Sequence, residues 1–496
     1  MIVIAYLIAI IGVGFAFSRR NRTTDAYFKG GGKLPWWVTA FSIYAATFSP
    51  LTFLAIPALV YTTDLSYYPI FFGSVIATAV AVKWFLPFFR AGGWTSAYEY
   101  LERRFNLTCR LFASAAFILF MVSLTAVVAY LPSVALSAVT GLDVNVSIVI
   151  VMAVAVIYTF LGGMEALAWA DFAQTILIFV TMFAVLGVIL TGTDGGLSGA
   201  FSLAAEHNKL NAFDFSPVLS RPGFWVVLIG GTVANVATFI SDQRVIQRYL
   251  TVKDVPAAVK SMWTQVAVGC VSSTLCFFIG LGIWAYYQSN GAVFPAITKN
   301  DQIFPVFIAT KLPIGLAGLA LAGIAAASIS TLSANMNSTA AAFSSDFYVR
   351  LFKGGNPLRC GKIASLVCGL AGGAFAIFLA NSDVASAYET FQRYLGILTA
   401  GLACLFIMGR FMPRVNGFGA VCGLVANYIV TFGLDRIPWS GKPHLLLFGL
   451  CGMIVCLAVA SVASCLVRVG SALLSASRRD SYFRVFNQGA SNDNVE

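Results

Sequence analysis

The chemistry-bearing residues of this chain are hydroxyls, carboxamides and a few carboxylates set among apolar neighbours. The first group is Ala45-Ala46-Thr47-Phe48-Ser49-Pro50-Leu51-Thr52. Pro50 has no N–H, so the Ala46 carbonyl loses its helical partner, and the proline ring crowds that same carbonyl. Thr47, Ser49 and Thr52 place hydroxyls around the interruption. Such a segment is either a plain proline kink or an unwound stretch whose carbonyls bind a cation. A second group holds Gly230-Gly231, Asn235, Thr238 and Ser241 and ends in Asp242-Gln243-Arg244. Asp242 and Arg244 read equally as the exit of a span to water. The third group runs from Ala325 to Thr339. Ser330 and Ser333 are spaced i,i+3, and Ser333/Asn337 and Ala327/Thr331 are spaced i,i+4, which puts polar groups in rows along a helix of small residues. Close packing of small residues, with Ser and Thr bonding their own i−4 carbonyls, accounts for one or two of these hydroxyls but not for the whole row. Asp171 stands alone after Gly162-Gly163-Met164-Glu165, with no Lys or Arg in its immediate stretch. It either caps a helix at the membrane interface or needs a bound cation as its counter-charge.

Hydroxyl and carbonyl oxygens suit a hard cation such as sodium; softer transition metals prefer imidazole or thiolate. The only histidines, His207 and His444, lie far apart in polar loops. Most of the ten cysteines, among them Cys270, Cys276, Cys368, Cys404, Cys422, Cys451 and Cys456, fall inside apolar runs, with no C-x-x-C. Gly30-Gly31-Gly32-Lys33 lacks the spacing of a phosphate-binding loop.

The elements that must position these groups are membrane spans. The apolar set is 59% of the 496 residues and the charged set 10%, far below the ~25% charge of a soluble protein. That excludes a cytosolic enzyme, a nucleic-acid binder and a disordered scaffold. Thirteen apolar segments are expected, at 1–17, 36–62, 67–89, 108–138, 144–161, 170–192, 222–241, 260–287, 311–343, 361–381, 390–411, 415–433 and 444–468. Counted by alternate loops, 23 Lys and Arg fall on one side and 6 on the other. The rich side is expected to be cytoplasmic, which puts the N-terminus outside and the C-terminus inside. The two interrupted segments, five spans apart, suggest inverted repeats over about 36–192 and 222–411. One transmembrane domain, 1–468, followed by a cytoplasmic tail, 469–496, completes the expected layout. With no cluster of catalytic groups, the chain reads as a carrier and not an enzyme. Its expected partners are a small-molecule solute, sodium and the lipid bilayer, without nucleic acid or an obligate protein partner.

Several stretches, in order, resemble the sodium:solute symporter family. They are Tyr27-Phe28-Lys29-Gly30-Gly31-Gly32, Thr95 to Phe105, Thr159-Phe160-Leu161-Gly162-Gly163-Met164-Glu165, Trp169-Ala170-Asp171-Phe172-Ala173-Gln174, Gln247-Arg248-Tyr249, and 325–348 ending in Ser345-Asp346-Phe347-Tyr348. Within that family the chain is most similar to bacterial sodium-coupled sialic acid symporters. The resemblance implies an all-α, leucine-transporter-like 5+5 inverted repeat with thirteen transmembrane helices in the bacterial inner membrane. It also implies co-transported Na+ held by Ala45, Phe48, Ala327, Ser330 and Thr331. Asp171 and Ser333 match a second sodium site, from which Ala334 removes one hydroxyl.

The implied solute pocket departs from the resemblance. The family's Ser pair is Ser49-Pro50 here, its Gln position is Phe71, and its Arg position is Leu124. Without that arginine a buried carboxylate loses its fork-shaped partner. A sugar or polyol is therefore expected ahead of a sugar acid, with a sialic acid symporter proper, a proton-coupled carrier using Asp171, or a transporter-like sensor as the alternatives. Thr47, Ser49, Thr52, Tyr67, Phe71, Asn235, Asp242 and Gln392 are the expected pocket residues.

Overall fold

The computed structural model describes residues 1–18, 23–291, 295, 300–352, 355–382, 387–436 and 441–469, with the side chains of 301 and 387–397 outside the description. The tail from 470 and the side chain of Gln392 therefore lie outside the described residues. Among the described residues the chain is all helical. Among the described residues nine helices are long and apolar enough to cross a membrane, and a bent pair makes a tenth.

The helices that build the site are α1 (Ile2–Ser18), α2 (Trp36–Thr47), α3 (Leu51–Thr62), α4 (Ile70–Gly92), α5 (Glu99–Arg104), α6 (Leu107–Thr140), α7 (Val144–Thr191), α8 (Phe224–Ser241), α9 (Gln243–Tyr249), α10 (Val255–Ser289), α11 (Ile314–Phe352) and α12 (Pro357–Ala380). Helices α13 (Ala387–Phe411), α14 (Gly417–Arg436) and α15 (Leu445–Val469) follow. The break at Phe48-Ser49-Pro50 bends α2 from α3 by 61°. A second, milder interruption falls at Asp242, whose φ −83° and ψ 115° separate α8 from α9.

The segments expected at 144–161 and 170–192 fall within Val144–Thr191, labelled α7 as a whole, which consists of two helices meeting at a kink. Only Gly163, with φ 61° and ψ −178°, leaves helical geometry inside it. Glycine reaches that conformation without a Cβ clash, so the chain can bend there without spending residues on a loop.

Close helix crossings depend on missing side chains. A Cβ on Gly73 of α4 would stand 2.6 Å from the Thr232 backbone nitrogen of α8, and one on Gly231 would stand 2.7 Å from Ile70. This contact sets Phe71 and Ser74 opposite Asn235 and Thr238. Overpacking a close crossing costs about 1–3 kcal/mol, so Gly73→Val is expected to lower the thermal midpoint of the detergent-solubilised protein. A midpoint equal to that of wild type would show that the crossing tolerates expansion.

On the other side of the molecule an ionic cluster ties α5, α6 and the end of α11 together. Arg110 on α6 donates from Nε to Asp346 Oδ1 at 2.9 Å and from Nη1 to Glu102 Oε2 at 2.8 Å. Ser96 and Ser114 donate to Asp346 Oδ2, each at 2.8 Å. Asp346 is wholly buried. The hydrogen bond from Arg350 holds the Glu102 carboxyl below the usual carboxylate range, with Arg110 adding to the effect.

Candidate functional site

Where α2 stops, its last carbonyls point out of the helix and need new partners. Ser330 Oγ on α11 lies 3.0 Å from the Ala45 carbonyl and 3.1 Å from that of Ala327. Thr331 Oγ1 lies 3.4 Å from the same Ala45 oxygen and 3.0 Å from the same Ala327 oxygen. Four oxygens thus form a closed ring between a helix end and a continuous helix, and all four residues are fully buried. Each hydroxyl carries one proton. Two protons can make at most two straight hydrogen bonds among these four contacts of 3.0–3.4 Å, so the ring holds more acceptor lone pairs than donors. Phe48, the fifth expected donor, stands at the break with extended backbone, φ −80° and ψ 92°.

The carbonyl expected to be orphaned by Pro50 has a partner from elsewhere. Arg244 Nη1 donates to the Ala46 oxygen at 3.4 Å and to Asn335 Oδ1 at 3.1 Å. Its Nε and Nη2 donate to Asp242, at 3.0 and 2.6 Å to Oδ2. Arg244 is therefore not a charge at the exit of a span, as one reading of the sequence had it. Arg244, Arg248 and Arg110, all counted as loop charges by the alternate-loop tally, are buried.

Asp171 is likewise supplied with a cation from a distance. Arg248 Nη2 reaches its Oδ2 at 3.3 Å, and Ser42 Oγ donates to the same oxygen at 2.6 Å. The counter-charge missing from its own stretch comes from 77 residues along the chain. Asp171 Oδ1 is buried and keeps no partner. Ser333 Oγ turns back to the Ser330 carbonyl at 2.9 Å. The polar rows on α11 divide their work: Ser330 and Thr331 meet the helix break, Asn335 receives Arg244, and Asn337 receives Gln247 at 2.9 Å.

Beside the ring lies a cavity of about 220 Å³. Five of the eight expected pocket residues line it, namely Thr47, Ser49, Thr52, Phe71 and Asn235. So does Leu124, the position at which the resemblance led us to look for an arginine. Tyr67 does not line it; its hydroxyl pairs with His444 Nε2 at 3.2 Å. Asp242 does not line it either, because Arg244 occupies its carboxylate. Six polar lining residues lie outside the expected set: Tyr44, Ser74, Thr238, Arg244, Gln265 and Ser273. Gln265 Nε2 is buried without a partner. The signal for Gln265 was there, since a carboxamide inside the apolar run 260–287 is costly unless it has a task.

Comparison with known proteins gives the family. The model of the sodium:solute symporter family matches residues 27–426. The chain is 35% identical over 441 residues to the sodium/sialic acid symporter SiaT of Proteus mirabilis (strain HI4320), covering 86% of this chain and 87% of that one. It is 29% identical over 468 residues to the sodium/glucose cotransporter of Vibrio parahaemolyticus, covering 89% and 85%. Among solved structures, the substrate-bound outward-open state of a Na+-coupled sialic acid symporter superposes with a TM-score of 0.86 at 32% identity, over 94% of this chain and 97% of that one. Mhp1, a nucleobase-cation-symport-1 family transporter in a closed conformation, shares the fold alone, with a TM-score of 0.58 at 15% identity over 89% and 94% of the two chains. A broken helix facing hydroxyls, a cavity with polar groups in its lining beside it and a match over most of the length lead to one assignment: this multi-pass membrane protein belongs to the sodium:solute symporter family and is a sodium-coupled carrier of a small organic solute, not an enzyme.

Proposed function

We propose that the oxygen ring of Ala45, Ala327, Ser330 and Thr331, completed by Phe48, binds the transported sodium, and that the adjoining cavity takes a small polyhydroxylated solute. The observation that carries this reading is the proton shortage in the ring: four oxygen contacts of 3.0–3.4 Å share two hydroxyl protons. A cation at their centre turns the surplus lone pairs into ligands. Hydroxyls of Thr47, Ser49 and Thr52 and the carboxamides of Asn235 and Gln265 match a solute rich in hydroxyls, while Phe71 offers a ring face. Sialic acid and glucose, named for the relatives, both fit that description. For Asp171, Arg248 already supplies the charge that a second sodium would bring, and Ala334 offers no hydroxyl. Both points support one sodium per cycle.

Thirteen spans follow if α7 counts as two about Gly163, the broken pair α2–α3 as one, and α1 and α13 are added to the rest. An odd number puts the termini on opposite sides. With the three buried arginines set aside, the remaining Lys and Arg excess still supports an outside N-terminus and a cytoplasmic C-terminus in a bacterial inner membrane. The breaks before Leu51 and at Asp242, five spans apart, support two inverted repeats.

The test is uptake into proteoliposomes with labelled N-acetylneuraminic acid, glucuronate and glucose. Accumulation of at least one of them is expected under an inward sodium gradient and should vanish when potassium replaces sodium. Uptake driven equally well by a pH gradient without sodium would overturn the ion assignment.

A further inference from the structure

Two side chains that line the cavity carry N–H groups with no acceptor among the described residues. A guanidinium has five N–H groups. In Arg244, Asp242 takes the Nε–H and one Nη2–H, and Asn335 and Ala46 take the two on Nη1, the latter at a long 3.4 Å. One Nη2–H is left over, on a side chain that lines the cavity. Gln265 Nε2, also lining it and 4% exposed, has no partner at all. Buried donors without acceptors are costly, and a solute that removes this cost brings acceptor oxygens. A carboxylate is acceptor-only and meets a guanidinium edge well.

The charge count points the same way. Asp242 already balances Arg244, so a solute carboxylate adds one uncompensated negative charge to the buried core. The proposed sodium site supplies one positive charge close by: Ala45 contributes to the ring, and the next carbonyl, Ala46, is the one Arg244 holds. An acid and a sodium ion therefore offset each other across two consecutive residues of one helix break.

We propose that the solute is a polyhydroxylated monocarboxylic acid, that Arg244 receives its carboxylate with Gln265 as a second donor, and that this arginine takes the part lost at Leu124. The inference rests on the cavity being the solute site, as argued above, and reverses the preference for a neutral sugar drawn from Leu124.

Removing Arg244 alone would strand Asp242, so the test uses Asp242→Asn with Arg244→Gln, which removes both charges and keeps both side chains polar. Glucuronate and glucose serve as a matched acid and neutral pair, with N-acetylneuraminic acid as a larger acid. Wild type is expected to accumulate an acid and to discriminate against glucose. The double variant is expected to raise the half-saturating acid concentration by about 10–100-fold, while the sodium-induced rise in its thermal midpoint persists. Gln265→Leu is expected to weaken acid uptake in the same sense. Sodium-driven glucose uptake indifferent to the double substitution would overturn the acid assignment and leave the polyhydroxylated reading standing. Acid uptake with an unchanged half-saturating concentration in the double variant would also overturn it. Failure of all three probes to accumulate would overturn both.

Discussion

Ser330→Ala combined with Thr331→Val is expected to raise the sodium concentration for half-maximal uptake by about 100-fold or more, and to abolish transport at ordinary sodium concentrations. Each hydroxyl touches the same two carbonyls, so each removes a ligand from the same ion. A hydrogen bond or ligand contact to a charged group contributes about 1.5–3 kcal/mol, which makes two losses a matter of orders of magnitude. Folding should survive, because both hydroxyls sit on a continuous helix whose backbone bonds do not need them. The measurement is the sodium dependence of initial uptake rates, set beside the sodium-induced shift in thermal midpoint. If both substitutions leave the sodium curve where it was, the ring is packing and not a binding site.

Arg110→Leu has the second large effect, on the fold. It leaves Asp346 fully buried with only the Ser96 and Ser114 hydroxyls. Removing one partner of a buried ion pair costs about 3–5 kcal/mol. Little folded protein is therefore expected on size-exclusion chromatography after mild heating. The double substitution Arg110→Leu with Asp346→Leu should recover much of the loss, since an apolar pair replaces two buried charges. Equal heat resistance of wild type and the single variant would mean that the cluster does not hold the helices together.

These expectations draw on signals of different range, and that range decided what was legible in the sequence. Pro50 announces a helix break on its own, and the spacing of Ser330, Ser333 and Asn337 announces a polar row on its own. That the two meet is a contact between residues 285 apart, and it was available only through the resemblance to a family. The ion pairs were not legible at all. Arg248 to Asp171 spans 77 residues and Arg110 to Asp346 spans 236. In a sequence each arginine looks like a charge flanking a span, because local composition says nothing about which way a helix end dips. Arg244 is ambiguous in the sequence for the same reason, and with it the character of the cavity. Gly163 shows the opposite case: two apolar segments were correctly seen, but one residue with positive φ serves as their connection, where the sequence suggested a short loop.

The pairing of buried charges also bears on which steps of a transport cycle feel the membrane voltage, whose total work over the cycle is set by the cargo. Among the described residues, Asp171, Asp242 and Asp346 each hold an arginine, so the core cancels its own charge. Whatever crosses the bilayer voltage is then the net charge of the cargo. Sodium with an uncharged solute would draw about 2.3 kcal/mol from each 100 mV. Sodium with a monoanion draws nothing, and the concentration ratio of sodium alone sets the ceiling on accumulation.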